Sequence, residues 1–302
     1  MNYLYYPGCS LKATGKAFNE SLLEVSKELG ITLQELNDWN CCGATAYMSI
    51  DELKAFVLAA RNLALAEKQG LTGDQDDVDL IAPCAACYQV LLKTHRFFQK
   101  YPDIRHKITA ALAKGGLHYS GRVRVRHAFE VLVNDIGIEG VAAKVKYPLT
   151  GLRVASYYGC QIVRPYAQFD DPENPRSMDR LMAAVGAEVV EWPLKTRCCG
   201  GSLMGTMPEM GLRLNYILLR EAQKRGAQLI VTACPLCQFN LECYQDKIAG
   251  KFDKNFKKIP VAFLTQPLGL ALGLDERKIG NRRLFMPIDR IGKFKKGGTY
   301  VG

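Results

Sequence analysis

Histidine is scarce in this chain, with four in 302 residues, and all four (His95, His106, His118 and His127) fall in the first half. His95 and His106 lie on a polar helical stretch beside Arg96 and Lys107, which predicts surface positions. No Ser-His-Asp order and no strand–turn–helix nucleophile elbow occurs, so acyl transfer is excluded. No G-x-G-x-x-G loop occurs either, and flavin or nicotinamide is not expected on this chain. No apolar stretch reaches about 18 residues, so no direct membrane span is expected. The longest candidate, Val261 to Leu274, is interrupted by Thr265, Gln266 and Pro267. The opening Met-Asn-Tyr-Leu-Tyr-Tyr-Pro has no basic region, apolar core or cleavage site. The expectation is a chain without a secretory signal, in the cytoplasm.

What is present is an ordinary globular composition, 48% hydrophobic and 23% charged, of a length that suits two domains. The formal charge is +10, and it is uneven. Residues 275–302 carry eight Lys or Arg (Arg277, Lys278, Arg282, Arg283, Arg290, Lys293, Lys295, Lys296) against three acids. With no stacking aromatic series and no recognised motif, nucleic acid is not expected. Two readings of this extension stand: a basic arm docking an acidic redox partner, or a solvated tail.

Cysteine carries the chemistry. Ten of the eleven cysteines form two sets of five in the same order. The first is Cys9, Cys41-Cys42-Gly43 and Cys84-x-x-Cys87; the second is Cys160, Cys198-Cys199-Gly200 and Cys234-x-x-Cys237. Gaps of 31 and 41 residues in the first become 37 and 34 in the second, so the pattern recurs while its loops vary. A chain of this size needs no disulfide staples, and compartment and spacing favour metal over oxidised or merely buried thiols. A structural zinc needs four ligands; a fifth thiolate points to an iron–sulfur cluster with more ligation positions than a simple cube. A C-x-x-C at a helix start sets two sulfurs on the first turn, where free N–H groups favour anions. Vicinal cysteines would strain as chelators of one ion but can serve neighbouring irons. Gly43 and Gly200 let the backbone turn close to inorganic sulfur or donate N–H to it, and Gly8 and Gly159 before the lone cysteines offer the same approach. Cys243 has no counterpart in the first half and reads as a packed helix residue.

The repeat extends beyond cysteine. Strands are predicted over residues 2–6, 32–36, 78–82 and 123–127, and again over 154–158, 188–192, 228–233 and 261–264. Helices are predicted over 17–29, 51–69 and 129–136, and over 177–185, 210–225 and 267–274. Alternating strands and helices imply an α/β protein of two similar Rossmann-like halves with parallel sheets related by an internal repeat. Each cysteine element then follows a strand end, where such folds place function. The stretch 137–151 reads as a linker, and 71–79 and 167–176 as surface loops. The expected units are a first Cys-Cys-Gly (CCG) α/β domain over 1–145, a second over 146–274, and the basic extension over 275–302.

The pattern Cys–x31–Cys-Cys-Gly–x40–Cys-x-x-Cys, then Cys–x37–Cys-Cys-Gly–x33–Cys-x-x-Cys, resembles the two cysteine-rich CCG domains of the B-type subunit of heterodisulfide reductase. The runs Tyr5-Tyr6-Pro7-Gly8-Cys9-Ser10 and Trp39-Asn40-Cys41-Cys42-Gly43-Ala44 are similar to its bacterial branch. The resemblance covers essentially the whole chain; the long 41-residue gap and the basic extension depart from the core pattern without removing a ligand. It implies two noncubane [4Fe-4S] clusters facing each other between the halves, with a disulfide cleaved or formed between them. Cys9, Cys41, Cys42, Cys84 and Cys87 would hold the first; Cys160, Cys198, Cys199, Cys234 and Cys237 would hold the second. Relatives that lose cysteines imply an alternative, one cluster plus a different metal in the other motif, although this chain keeps all ten. Implied partners are a ferredoxin-like iron–sulfur subunit, a flavin subunit, and a disulfide or protein-bound sulfur substrate. The alternative role is an electron-transfer or assembly subunit of a succinate or fumarate dehydrogenase-like, quinone-linked complex.

Overall fold

The computed structural model describes residues 1–44, 46–70, 77–168, 170–288, 293–294 and 300–301. The first half runs β1 (Asn2–Tyr5), α1 (Gly8–Lys12), α2 (Lys16–Glu28), β2 (Thr32–Glu35), α3 (Ala46–Ile50), α4 (Glu52–Gly70) and β3 (Val78–Ile81). It continues through α5 (Ala85–Lys100), α6 (Pro102–Ala113), β4 (Val123–Arg126), α7 (Ala128–Val131), a π turn over Leu132–Ile136 and α8 (Ile138–Ala142). The second repeats the plan: β5 (Arg153–Tyr157), α9 (Ser177–Ala184), β6 (Glu188–Val189), α10 (Leu203–Thr206), α11 (Pro208–Lys224) and β7 (Leu229–Thr232). After it come α12 (Pro235–Cys243), α13 (Gln245–Phe252), β8 (Val261–Phe263) and α14 (Thr265–Ala271). A 3-10 turn, Asn281–Arg283, precedes a short antiparallel pair, β9 (Lys293–Phe294) with β10 (Tyr300–Val301).

Both four-stranded sheets are parallel, ordered β2-β1-β3-β4 and β6-β5-β7-β8. This is the doubled α/β arrangement that the alternating pattern implies. All four residues of β7 are buried, which is why that strand reads as an unbroken apolar run. The edge strand β2 is mostly exposed, and β6 is only two residues long, shorter than its run of apolar residues suggests.

Two expected elements differ. The helix predicted over 129–136 is one α turn followed by a π turn. Buried Arg126 binds Glu130 and Asp135 together, at 2.7 and 2.6 Å, and the wider π spacing places residues five apart on one side. The stretch read as a linker contains α8, and its end is tied across to the second half by Lys146 and Tyr147 N–H bonds to the Ala271 carbonyl.

The halves pack through α2 and α14. Phe18 stacks on Phe263 with centroids 4.7 Å apart, and the Ser21 and Thr265 hydroxyls lie 2.6 Å apart in the buried seam. Residues 275–288 form neither a solvated tail nor a free arm. Arg283 grips Glu20 of α2 with two bonds of 2.7 Å, and Asn281 and Ile288 are buried. Buried Glu242 on α12 accepts the Met286 N–H at 3.0 Å. Arg290, Lys295 and Lys296 lie outside the described residues.

Glu242 titrates with consequence. Burial raises it from 4.5 to about 7, so the fold holds it protonated where the unfolded chain has it ionised. Its contribution is complete below about pH 4.5 and is lost as pH rises through 7. His127, lowered by burial to about 4, acts in the opposite sense over the lower part of that window, so the informative quantity is a difference. Chemical denaturation of wild type and Glu242→Gln from pH 5 to 8 should show wild type losing up to about 3 kcal/mol relative to the variant.

Candidate metal centre

Each cysteine set gathers at the carboxyl ends of its strands, at the crevice where strand order reverses. Cys9 follows β1 on α1, Cys41 and Cys42 follow β2, and Cys84 ends the β3 loop as N-cap of α5 with Cys87 in its first turn. In the second half Cys160 follows β5, Cys198 and Cys199 follow β6, and Cys234 caps α12 with Cys237 in its first turn. The structure therefore brings all ten together in two groups. Cys9 and Cys41 sulfurs lie 3.9 Å apart, Cys42 and Cys87 3.3 Å, and Cys199 and Cys237 3.5 Å. Cys42, Cys84, Cys87, Cys199, Cys234 and Cys237 are buried; Cys9, Cys41 and Cys198 are exposed and Cys160 is half-buried. Each group thus has a closed floor and an open mouth.

Two tyrosines that the cysteine pattern did not reveal hold these loops. Tyr6, three residues before Cys9, donates at 2.8 Å to the carbonyl of Asn40, which precedes Cys41. Tyr157, three residues before Cys160, donates at 2.6 Å to the carbonyl of Arg197, which precedes Cys198. Both rings are fully buried and packed against Trp39 and Trp192 respectively. The signal was available as a tyrosine at the same offset from both lone cysteines.

The four glycines have positive φ, at 65° (Gly8), 76° (Gly43), 67° (Gly159) and 87° (Gly200). A Cβ on Gly8 would sit 3.0 Å from the Cys87 sulfur, and one on Gly159 3.1 Å from that of Cys237. The backbone before each lone cysteine therefore runs against a C-x-x-C sulfur. Gly43 and Gly200 have a mixed role. Their Cβ positions point at the backbone of Ala55 and Gly211, so they admit α4 and α11, while the Gly200 N–H donates to Cys198 Sγ at 3.3 Å.

The thiols do not ionise independently. Bonds from Cys41 and then Cys87 hold Cys42 well below its usual range, while Cys41 and Cys87 are raised by the same contacts with Cys42. Cys198 is likewise lowered by Cys160 and Cys199, and Cys234 by Cys237. Among the described residues no three or more His, Cys, Asp or Glu side chains are arranged around a single ion. All-thiol donors with amides aimed at them and a backbone opened by glycine fit an iron–sulfur cluster.

The two groups adjoin across the junction of the halves. The Ala85 N–H at the start of α5 bonds to the Cys234 sulfur, and Pro235 lies against Gly15. The histidines need one correction. His106 is exposed, but His95 is half-buried, bonded through Nδ1 to the Tyr119 hydroxyl at 2.7 Å and lowered by burial. It packs because its helix face turns toward Tyr119, which the polar neighbours in sequence conceal. Cys243 ends α12 half-buried, as expected of a packed helix residue.

A family model described as a cysteine-rich domain, CCG, matches residues 3–91 and 154–242. A protein of Archaeoglobus profundus named as like the heterodisulfide reductase B subunit is 32% identical, the match covering 92% of this chain and 93% of the relative. The chain belongs to the heterodisulfide reductase B-subunit family. An 8-methylmenaquinol:fumarate reductase membrane anchor subunit of Wolinella succinogenes is also 32% identical, over 96% of this chain and 99% of the relative. The B subunit of a Ferredoxin:CoB-CoM heterodisulfide reductase of Methanosarcina mazei is 30% identical over 84% and 83%. A crystal structure of a hypothetical protein from Helicobacter pylori superposes with TM-score 0.78 at 16% identity and supports the fold. It covers 95% of this chain, which spans 52% of that one.

The glycine cradle is testable against a matched control. Gly159 and Gly30 both have positive φ, at 67° and 74°, but a Cβ on Gly30 meets nothing within 4 Å. Each substitution to alanine incurs backbone strain of about 1 kcal/mol. Thermal unfolding should show Gly159→Ala falling further than Gly30→Ala, because only the former crowds the Cys237 sulfur.

Proposed function

We propose that the chain is an iron–sulfur thiol–disulfide oxidoreductase subunit of a larger complex. Cys9, Cys41, Cys42, Cys84 and Cys87 hold one noncubane [4Fe-4S] cluster, and Cys160, Cys198, Cys199, Cys234 and Cys237 hold a second. The observation that carries this reading is the complete doubling of the site: five sulfurs, the tyrosine-to-carbonyl tie and the glycine against a C-x-x-C sulfur recur in both halves. A bound cluster supplies one-electron transfer and iron with an affinity for sulfur.

The protein supplies the rest. Tyr6 and Tyr157 fix the Cys-Cys loops at a set distance from the lone-cysteine loops. The buried C-x-x-C floors exclude water, and the amides at the starts of α5 and α12 balance anionic sulfur. Exposed Cys9, Cys41 and Cys198 mark the open side, from which a disulfide enters. Cleaving that disulfide consumes two electrons and two protons and yields two thiols. The electrons come from a ferredoxin-like iron–sulfur partner fed by a flavin subunit, in keeping with relatives that are subunits of larger reductases. Among the described residues no helix is long and apolar enough to cross a membrane. We assign the protein to the cytoplasm, whose reducing conditions keep ten thiols available as ligands.

A second reading, a quinone-linked electron-transfer subunit, is favoured by the match to the Wolinella anchor subunit over nearly the whole of both chains. Exposed apolar residues also flank both Cys-Cys loops at equivalent places, Tyr47, Ile50 and Leu53 on one side and Met207 and Met210 on the other. One experiment separates the two. Anaerobically purified protein, reduced and freed of reductant, is mixed with lipoamide, cystine or menadione while cluster absorbance is followed. Reoxidation by a disulfide with release of two thiols per molecule is expected. Reoxidation by menadione alone would establish the second reading.

A further inference from the structure

Asn240 lies on α12 three residues after Cys237, and Val90 holds the same place on α5 after Cys87. Both are buried, Asn240 with 1% of its surface exposed. The amide of Asn240 reaches the loop that carries the second Cys-Cys pair. Its Nδ2 donates to the Gly201 carbonyl at 2.9 Å. The same nitrogen stands 3.5 Å from the Cys199 carbonyl and 3.8 Å from the Cys199 sulfur, whose size makes its hydrogen bonds longer than those to oxygen. An amide NH2 carries two hydrogens. Gly201 takes one, and the other is left for Cys199. That sulfur is buried and lies 3.5 Å from the Cys237 sulfur.

The first half lacks this donor. The side chain of Val90 has no N–H, and the buried asparagine of that half, Asn62, sits on α4 instead. Asn62 is engaged with the backbone of Asn40, accepting its N–H at 2.9 Å and donating to its carbonyl at 3.0 Å. Among the described residues no side-chain amide or guanidinium donates to a sulfur of the first group. The two groups share their thiols and differ in what faces them.

An electron added to a thiolate-ligated iron centre makes its sulfurs more negative. A donor aimed at one of them stabilises the reduced state more than the oxidised one, and burial keeps water from doing the same. We infer that Asn240 is a positioning residue that ties the second Cys-Cys loop to α12 and raises the reduction potential of the cluster held there, an adjustment that Val90 withholds from the first. This rests on the reading that each cysteine group holds an iron–sulfur cluster.

The test uses anaerobically purified full-length protein, assayed for iron and then titrated with dithionite and redox mediators while cluster absorbance is followed. Asn240→Val installs the first-half residue. Half of the titrating absorbance should move to lower potential by roughly tenfold in the one-electron equilibrium, about 59 mV, and the other half should stay. A packing role alone would lower thermal stability and leave both halves in place; that result at wild-type iron content overturns the inference. Asn240→Asp keeps the shape and offers at most one donor, which the Gly201 carbonyl takes, so the sulfur again loses its own. The same half should fall. If Asn240→Val does not fold or loses iron, Asn240→Asp decides, and an unmoved titration there overturns the inference. A wild type without iron would instead overturn the reading of the cysteines, and the inference with it.

Discussion

Five soft, partly anionic sulfurs must be held within contact distance of one another at the end of each sheet, and most local features of this protein answer to that constraint. Sulfur atoms 3.3 to 3.9 Å apart leave no room for a Cβ on the neighbouring backbone, hence positive-φ glycine at Gly8 and Gly159. Loops with no regular structure must still be fixed, hence the buried tyrosine hydroxyls bonded to the carbonyls before each Cys-Cys pair. Negative charge must be balanced, hence the placement of Cys84 and Cys234 at helix starts.

Much of this was legible in the sequence, for identifiable reasons. The cysteine order is read directly from the residues, and strands such as Leu229-Ile230-Val231-Thr232 announce themselves by being apolar on both faces. Elements governed by a single distant contact were not legible. The π turn at 132–136 depends on Arg126 reaching two acids at once. The folding-back of 275–288 depends on Glu20 and on buried Glu242, neither of which is near it in sequence. Charge in that segment is conspicuous in composition and suggested an arm. The buried anchors, Asn281 and Ile288, are single residues without a pattern. His95 was misplaced for the related reason that its partner, Tyr119, lies 24 residues away in sequence.

The duplication is close but unequal, and the inequality falls at the junction. By strand register Phe263, which packs on Phe18, stands where the first half has His127, the cap of α7. Beside the second cysteine group Lys195 and Asp179 form a buried ion pair of 3.0 Å, while Lys195 presents its carbonyl to the Tyr158 and Gly159 amides. The position three residues before the first Cys-Cys pair is Asp38, whose ion pair with Arg61 is largely exposed. A buried pair of this kind contributes rigidity more than net stability. Two sites with the same thiols therefore sit in different electrostatic surroundings.

The central claim, that both cysteine groups hold clusters of the same kind, is tested most directly by iron and acid-labile sulfide analysis of the anaerobically purified chain. Wild-type protein should carry about eight irons and about eight sulfides. Cys42→Ser and Cys199→Ser should each lose roughly half of both. About four irons in the wild type, or stoichiometric zinc in either group, would contradict the account.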